Sequence, residues 1–536
     1  MSESGLSHAR APRTLVGLSA FCSLLLAGPA VYLLIRNFTA DADPFGLILT
    51  DRVQGPLWRT VQLAVLVSLS TGALGTGMAW LTTRTDLPFA KTFSVLLTLP
   101  LVYPTFIGAA ALVRTLNPGG IVNDALSGLG VERTPTLSGL FGAWLVLTLL
   151  TYPYVFLPVA ARFSRLPSSI EQTARLLGNS ALRVFFRIIV PQAAGSIVAG
   201  MLLVFLYAIS DFGAVAILRY DTLTRAIEAN QLADRPVALA LSLVLLVLAG
   251  VVVAAERFAG RRRVVSNSPR SSTTAALTLG RAKVPSITVA LVVVAMSLGA
   301  PLLALFDWSV RGLITQNRTG RRLVVDAGQV GEITTNTLWV SALAAITTVL
   351  IVLPIALLVG RYKTGIGNLG HSVAISTFAL PGILIALTGT FFINQSDWTS
   401  DTFRNSMTLL IMSYTVRFAA LAMGTVLIAV HAVPERLRDA SQTLGADQRR
   451  RFTTIDLPIM TPGLLAAAGL VLLSTMKELP ISLLSSPFEF ETLATRIFGT
   501  FNEAFVTEAG LMALTLVALS FVATWALIIR PLSKQR

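Results

Sequence analysis

The sequence has very few of the side chains from which thiol and metal sites are built. Its 536 residues include one cysteine, Cys22, and three histidines. A single cysteine excludes an internal disulfide framework and a site with several thiolate ligands. The histidines, His8, His371 and His431, lie far apart along the chain. We therefore predict no metal site.

Sequence motifs of catalysis are also missing. No glycine is followed by lysine, so the phosphate-binding pattern GxxxxGK[ST] is absent. The patterns HExxH, CxxC and GxSxG do not occur either. We therefore do not expect an enzyme, and we expect no cofactor bound by this chain.

Charged residues are scarce as well. They make up 13% of the chain, whereas a soluble domain carries roughly a quarter, and the mean hydropathy is +0.72. This composition indicates an all-α integral membrane protein surrounded by lipid. The net charge of +15 does not indicate a nucleic-acid partner, because the charges lie between apolar runs, as membrane topology requires.

The sequence contains twelve mainly apolar runs of about 20 residues, the length that crosses a bilayer as a helix. The predicted spans are 14–35, 57–81, 93–113, 137–160, 189–210, 237–255, 285–306, 334–359, 371–393, 407–430, 459–480 and 509–529. The first run follows two arginines but is longer than the apolar core of a signal peptide and has no clear cleavage site. We interpret it as an uncleaved span.

The predicted domains are two halves of six spans each. Segment 256–284 is rich in Arg, Ser and Thr, has no apolar run, and is interpreted as a cytoplasmic linker between residues 1–255 and 285–536. Prolines interrupt the third span, at Pro100 and Pro104, and the ninth, at Pro381. A proline inside a membrane helix frees a carbonyl and permits a kink, so these helices could line a pathway or simply pack around a bend.

The distribution of Lys and Arg predicts the orientation, because cytoplasmic loops carry an excess of both. With both termini in the cytoplasm, most of the 42 Lys and Arg residues fall in the tails and inner loops. The basic segment 307–333 is an exception on the outer side. We predict a multi-pass protein of the cell (inner) membrane whose halves form a parallel repeat.

One stretch occurs twice at a constant shift of 267. Residues 167–191 read PSSIEQTARLLGNSALRVFFRIIVP, and residues 434–458 read PERLRDASQTLGADQRRRFTTIDLP. Ser168 and Glu171 have the spacing of a capping box at a helix start. Gly178 and Gly445 stand where a helix would end in the left-handed conformation. Each copy therefore predicts a short amphipathic helix, which is either an ordinary solvated loop element or a docking helix for a partner groove.

This stretch resembles the cytoplasmic EAA loop of permease subunits of binding-protein-dependent ABC importers. Neither copy keeps Glu-Ala-Ala in full, and Glu171 lies one place before the acidic position of that family. The resemblance implies ATPase-coupling residues in both copies. These are Glu171, Gln172, Thr173, Ala174 and Gly178 in the first copy, and Asp439, Ala440, Ser441 and Gly445 in the second.

Two carboxylates follow the repeated stretches at the same shift. Asp211 in YAISDFG corresponds to Glu478 in STMKELP. Ionisable groups near membrane spans are costly and often mark an ion pathway, so both are candidates for a translocation pathway. The alternative is that both lie at the water interface, with Lys477 paired to a neighbour.

The segments around these carboxylates resemble the two halves of ferric-iron ABC importer permeases. The resemblance implies a type I ABC importer permease fold, a periplasmic or extracellular substrate-binding protein, and two copies of a cytoplasmic ATPase subunit that binds ATP and Mg²⁺. Fe³⁺ is a hard cation that prefers oxygen ligands such as Asp and Glu. Thiamine and polyamine permeases share the fold and remain alternatives for the substrate. An ion-coupled secondary transporter, which also uses repeats, and a membrane scaffold remain alternatives for the class.

Overall fold

The computed structural model describes residues 11–39, 43–127, 136–261, 277–319, 327–362, 364–403, 405–503 and 506–526. Within these ranges the secondary structure is helical, apart from one parallel β-bridge between Thr85 and Leu277. The prediction of an all-α fold is therefore confirmed. Most of the predicted linker, at 262–276, and part of the basic segment, at 320–326, lie outside the described residues.

The helices of the first part of the chain have the following bounds: α1 Arg13–Thr39, α2 Pro44–Ile48, α3 Asp51–Arg84, α4 Ala90–Leu96, α5 Thr105–Leu116, α6 Ile121–Ser127, α7 Gly139–Thr151, α8 Pro153–Ser164, α9 Ser168–Leu176, α10 Ala181–Val184, α11 Val190–Ser210, α12 Gly213–Ile217, α13 Leu223–Asn230, α14 Arg235–Arg261, α15 Lys283–Val294 and α16 Ala300–Thr319. Those of the second part are α17 Ala327–Leu357, α18 Gly365–Ser376, α19 Gly382–Ile393, α20 Asp397–Phe403, α21 Met407–His431, α22 Glu435–Thr443, α23 Gln448–Arg451, α24 Leu457–Thr475, α25 Pro480–Ser485, α26 Leu493–Asn502 and α27 Val506–Thr524.

Ten helical segments among the described residues are long and apolar enough to cross a membrane. Two further segments are bent pairs: Ala90–Val102 meets Thr105–Asp124 at 106°, and Gly365–Ala379 meets Gly382–Ile393 at 107°. The pairs correspond to the third and ninth predicted spans, so the twelve predicted spans are found as ten helices and two broken ones.

Both breaks occur at a proline. Pro104 and Pro381 have extended backbone angles, with ψ of 139° and 145°, directly before α5 and α19. Proline has no N–H to donate to the preceding turn, and its ring clashes with the carbonyl four residues earlier. The predicted interruption is confirmed, and its two copies are related by a shift of 277.

The chain forms two compact units. One contains the described residues of 1–42, 325–496 and 518–536, and the other contains those of 43–324 and 497–517. In the first unit α1 packs against α18, where the Cβ of a residue replacing Gly370 would meet Ser23 Oγ at 2.5 Å. In the second unit α16 packs against α5. The helix that starts each half of the sequence therefore belongs to the unit that holds most of the other half.

Equivalent hydrogen bonds repeat inside the units. The Thr60 hydroxyl accepts a hydrogen bond from the Leu223 amide at 2.8 Å. The Thr337 hydroxyl accepts one from the Leu493 amide, also at 2.8 Å. In each unit, a buried threonine of a long helix thus satisfies the first amide of a short one, as helix N-termini require. The internal repeat therefore extends from the sequence to individual backbone contacts.

Candidate functional site

The repeated stretch forms a short helix in both copies. Helix α9 covers Ser168–Leu176 and α22 covers Glu435–Thr443. The glycine after each helix has the predicted left-handed conformation, with φ of +82° at Gly178 and +74° at Gly445. Helix, turn and glycine are therefore found as predicted, and we call α9 and α22 the first and second docking helix.

The chain then enters the next span in the same way in both copies. Ser180 and Asp447 cap the following turn, and their side chains accept hydrogen bonds from the amides of Arg183 and Arg450. A single π-helical turn follows, at Phe185–Ile189 and Phe452–Asp456, before α11 and α24 begin. Such turns insert one extra residue into a helix and are frequent at functional sites.

The apolar and small residues of each predicted amphipathic helix lie partly in the protein interior and partly on its surface. Ala174 and Ser441 are buried at 6% and 4% exposure and face the protein. Leu176, Leu177 and Leu444 have 88%, 77% and 86% of their surface exposed. Leu177 and Leu444 thus leave an apolar side chain exposed at the same position of both copies, which favours a contact surface for a partner. The exposed residues Gln172, Thr173, Asp439 and Ala440 surround these leucines.

Glu171 does not lie on this surface. Its side chain is 10% exposed and forms an ion pair with Arg84 of α3, whose side chain is 2% exposed. Arg84 Nε donates to Glu171 Oε1 at 2.7 Å, and Arg84 Nη1 donates to the Leu166 carbonyl at 3.1 Å. The predicted capping box is wrong, because the N-cap position is Pro167 and the glutamate binds a distant arginine instead. Glu171 therefore holds the docking helix to the second span.

A corresponding arginine in the other unit binds a different acid. Arg361 is the counterpart of Arg84 in the repeat, at a shift of 277. Its Nη1 lies 2.5 Å from Asp456 Oδ2. Asp456 is fully buried in the π-helical turn and also faces Arg451 Nε at 3.6 Å. The position equivalent to Glu171 is Arg438. Both halves thus have an arginine at the end of their second span. Its acidic partner is Glu171 of the docking helix in the first half and Asp456 of the π-helical turn in the second.

Asp211 is buried and its carboxylate is hydrogen-bonded on both oxygens. Thr105 Oγ1 donates to Oδ2 at 2.5 Å, and the Ala214 amide donates to Oδ1 at 3.0 Å. The side chain therefore joins the end of α11 to the first residue of α5 and caps α12. It lies beside the break at Pro104, because Thr105 is the next residue along the chain.

Glu478 occupies the equivalent place in its own unit. It lies between α24 and α25, and a Cβ added to Gly382 would clash with its Oε1. Gly382 starts α19 as Thr105 starts α5, at the shift of 277 that also relates the two breaks. Glu478 is half-buried, whereas Asp211 is 7% exposed. The predicted equivalence of the two carboxylates therefore extends to their packing against a helix break. Their role in a pathway stays a prediction.

One intramembrane cation was missed by the sequence patterns. Arg417 lies near the middle of α21, and its Nη1 donates to the Leu380 carbonyl at 2.6 Å, next to the break at Pro381. The positions of the first half that correspond to Arg417 are Leu140 at a shift of 277 and Leu150 at a shift of 267. Because neither is charged, comparison of the repeats could not identify Arg417. A charged residue at the centre of a hydrophobic span was the available signal.

Replacing Asp211 by alanine should destabilise the protein by about 1–3 kcal/mol, because the Thr105 hydroxyl and the Ala214 amide would both lose their acceptor. Asp211→Asn keeps one oxygen acceptor and should have a smaller effect. Thermal unfolding of the purified protein in detergent measures both changes. Equal unfolding temperatures for Asp211→Ala and the unmodified protein would show that these hydrogen bonds contribute nothing.

Repeated surface helices and broken spans within an internal repeat are features that occur in membrane transporters. Residues 71–265 and 352–535 match the family described as binding-protein-dependent transport system inner membrane component. The chain belongs to this family, and its two matches correspond to two fused halves.

Three relatives from different organisms illustrate the family. The Fe(3+)-transport system permease protein FbpB 2 of Haemophilus influenzae is 27% identical over 97% of this chain and 98% of its own length. The sulfate transport system permease protein CysT of Salmonella typhimurium is 24% identical over 36% of this chain and 69% of its own length. A probable molybdenum ABC transporter permease protein of Haloferax volcanii is 29% identical over 40% of this chain and 79% of its own length.

Proposed function

We propose that this permease imports ferric iron, which a substrate-binding protein delivers from outside, and that two copies of a cytoplasmic ATPase subunit drive it. Those subunits would bind ATP and Mg²⁺, and both termini of this chain would lie in the cytoplasm. The observation that carries the proposal is the pair of docking helices with exposed leucines, one in each unit, at a constant shift of 267.

The exposed leucines support two equivalent docking sites for a soluble partner. Leu177 and Leu444 stand at the same position of the repeat, directly before the left-handed glycine. Burying one exposed leucine in a partner groove gains about 1.5–3 kcal/mol. Two such helices suit a partner that binds as two copies, and no ATP site is expected within this chain. A pair of ATPase subunits meets both requirements.

Ferric iron as the substrate is supported by the full-length similarity to a permease named for Fe(3+) transport. Asp211 and Glu478 add oxygen ligands that suit a hard cation. The two carboxylates each lie against a broken helix, and broken helices at membrane depth are typical of substrate sites in transporters. Among the described residues, neither carboxylate belongs to a group of three or more His, Cys, Asp or Glu side chains that could hold a metal ion tightly, which suits a pathway that must release its ion.

An oxyanion is the second candidate substrate. Arg417 places a guanidinium at the break of the ninth span, where it binds the Leu380 carbonyl. Glu478 lies against Gly382, two residues further along the same break. Lys477 adds a further cation beside Glu478. Guanidinium groups bind oxyanions through several charge-assisted hydrogen bonds. Two of the relatives are named for sulfate and molybdenum transport.

Docking is tested by placing a charge on the exposed leucines. Leu177→Asp together with Leu444→Asp should abolish co-purification of the ATPase subunit and abolish uptake, because a carboxylate cannot enter an apolar groove without a desolvation cost of several kcal/mol. Leu232→Asp is the matched control, since Leu232 is 87% exposed but lies between α13 and α14, away in sequence from both repeated stretches. Normal ATPase binding in the double variant would refute the proposal.

The substrate is tested by uptake of radioactive iron, sulfate and molybdate into vesicles that contain the complete transporter and its binding protein. Uptake of iron alone supports the first candidate, and uptake of an oxyanion supports the second. Labelled thiamine and polyamine extend the same assay to the remaining substrate classes. ATP-independent uptake driven by an ion gradient would identify a secondary transporter instead.

A further inference from the structure

The last residue of α3 and the loop after it contact two elements that are distant from each other in sequence. Residues Arg84, Thr85 and Asp86 lie between the first docking helix and the segment 277–283, which leads from the predicted linker into α15. All of these residues belong to the same compact unit. We call residues 84–86 the junction.

The side chain of Arg84 holds the docking helix. Its Nη2 lies 2.6 Å from Glu171 Oε1 and its Nη1 binds the Leu166 carbonyl, just before α9 begins. Both charged side chains are almost completely buried. A buried ion pair that is broken on one side leaves an uncompensated charge, so this contact resists separation.

The backbone of the junction holds the end of the linker. The Leu277 amide donates to the Arg84 carbonyl at 2.9 Å, and the Asp86 amide donates to the Leu277 carbonyl at 3.0 Å. These two bonds form the parallel bridge between Thr85 and Leu277. Arg84 therefore binds the linker through its main chain and the docking helix through its side chain.

The carboxylate of Asp86 fixes the linker a second time. Its Oδ1 accepts a hydrogen bond from the Leu279 amide at 2.8 Å, and its Oδ2 lies 3.1 Å from Lys283 Nζ. The Leu279 amide and the Lys283 ammonium lower the pKa of Asp86 below its ordinary value. The carboxylate is therefore ionised at cytoplasmic pH, and both contacts persist there.

The acidic residue of the junction is not repeated in the second half of the sequence. At the shift of 277 its residues are Arg361, Tyr362 and Lys363. Arg361 binds Asp456 of the π-helical turn, and a lysine at position 363 cannot accept hydrogen bonds as Asp86 does. The sequence of the second half thus replaces both acidic residues of this arrangement by basic ones, Glu171 by Arg438 and Asp86 by Lys363.

We propose that the junction fastens the linker to the first docking helix, so that the linker positions one of the two docking helices and leaves the other unaffected. This inference rests on the proposed function only in naming the partner of the helix as an ATPase subunit. Arg84 and Asp86 are positioning residues, and the end of the linker is a working part of the coupling between ATP hydrolysis and transport.

The test detaches the linker without changing the docking helix. Leu279→Pro removes the amide N–H that donates a hydrogen bond to Asp86. The φ of −73° at Leu279 suits proline. Leu279→Ala keeps the amide and is the matched control. A nitroxide label on Gln172→Cys, in a Cys22→Ala background, reports the mobility of α9 in the purified permease. A label on Asp439→Cys reports that of α22.

Leu279→Pro should increase the mobility of the label at position 172 several-fold and leave the label at position 439 unchanged, while Leu279→Ala changes neither. Lys283→Gln should act in the same direction to a smaller extent and provides a second variant if Leu279→Pro does not fold. Unchanged mobility at position 172 in both variants, or an equal increase at both positions, would overturn the inference.

A second measurement concerns coupling in the assembled transporter. Leu279→Pro should lower the amount of substrate taken up per ATP hydrolysed, with ATP hydrolysis itself retained. An unchanged ratio would overturn the role in coupling. Because the label mobility is measured without the ATPase, it remains interpretable if the docking proposal fails, and the two failures are distinguishable.

Discussion

Replacing Asp456 by alanine should destabilise the protein by about 3–5 kcal/mol, because it leaves a buried charge without its partner. The side chain of Asp456 is fully buried between those of Arg361 and Arg451, which are 6% and 5% exposed. Thermal unfolding can be followed with a thiol-reactive dye, since Cys22 is buried at 4% exposure in the same unit and reacts when the unit opens.

Two controls define the result for Asp456. Asp456→Asn keeps an oxygen acceptor for Arg361 and should lose less stability than the alanine variant. Glu435→Gln removes an exposed carboxylate at the start of α22 and should unfold like the unmodified protein. If Asp456→Ala unfolded at the same temperature as Glu435→Gln, the buried ion pairs would make no net contribution.

Valine at both turn glycines should strongly reduce uptake while the protein still inserts and folds. Gly178 and Gly445 have left-handed backbones, and no atom lies within 4 Å of an added Cβ at either position. The effect of valine is therefore conformational strain alone, about 1–2 kcal/mol at each site. The strain should shift the docking helix from its orientation and weaken contact with the ATPase subunits. Uptake and ATPase co-purification at matched expression measure the effect.

Asparagine distinguishes strain from bulk at the same positions. It adopts the left-handed conformation far more readily than β-branched residues, so Gly178→Asn with Gly445→Asn should retain most uptake although it adds a side chain. Equal losses for valine and asparagine would show that the side chain itself obstructs the partner. Normal uptake in the double valine variant would show that neither turn orients a docking helix.

Local patterns in the sequence were sufficient for the elements that local physics determines. The left-handed turns at Gly178 and Gly445 follow from the end of an amphipathic helix at a glycine. The breaks at Pro104 and Pro381 follow from the missing amide and the ring of proline. Because each feature occurs twice at a constant shift, the repeat supported both predictions before any tertiary contact was known.

Contacts between distant residues were beyond these patterns. Glu171 and Arg84 are separated by 87 residues, and the spacing of Glu171 from Ser168 indicated a local cap instead. The burial of two opposite charges outweighs a surface capping bond, since an unpaired buried charge costs far more. Asp456 and Arg417 were missed for the related reason that their partners, Arg361 and the Leu380 carbonyl, lie on other helices.

The place of α1 in its unit has a consequence for synthesis. Helix α1 packs with α17, α18 and α19, and roughly 290 residues separate its end from the start of α17. At typical ribosome speeds of about 5–20 residues per second, α1 spends roughly 15–60 s in the membrane before these helices are made. It is therefore present long before these helices exist, and its apolar character, with a mean hydropathy of 2.1 over an 18-residue window and exposed Phe21 and Leu24, suits that interval. The packing of α1 into that unit is consequently delayed until the second half of the chain is being made.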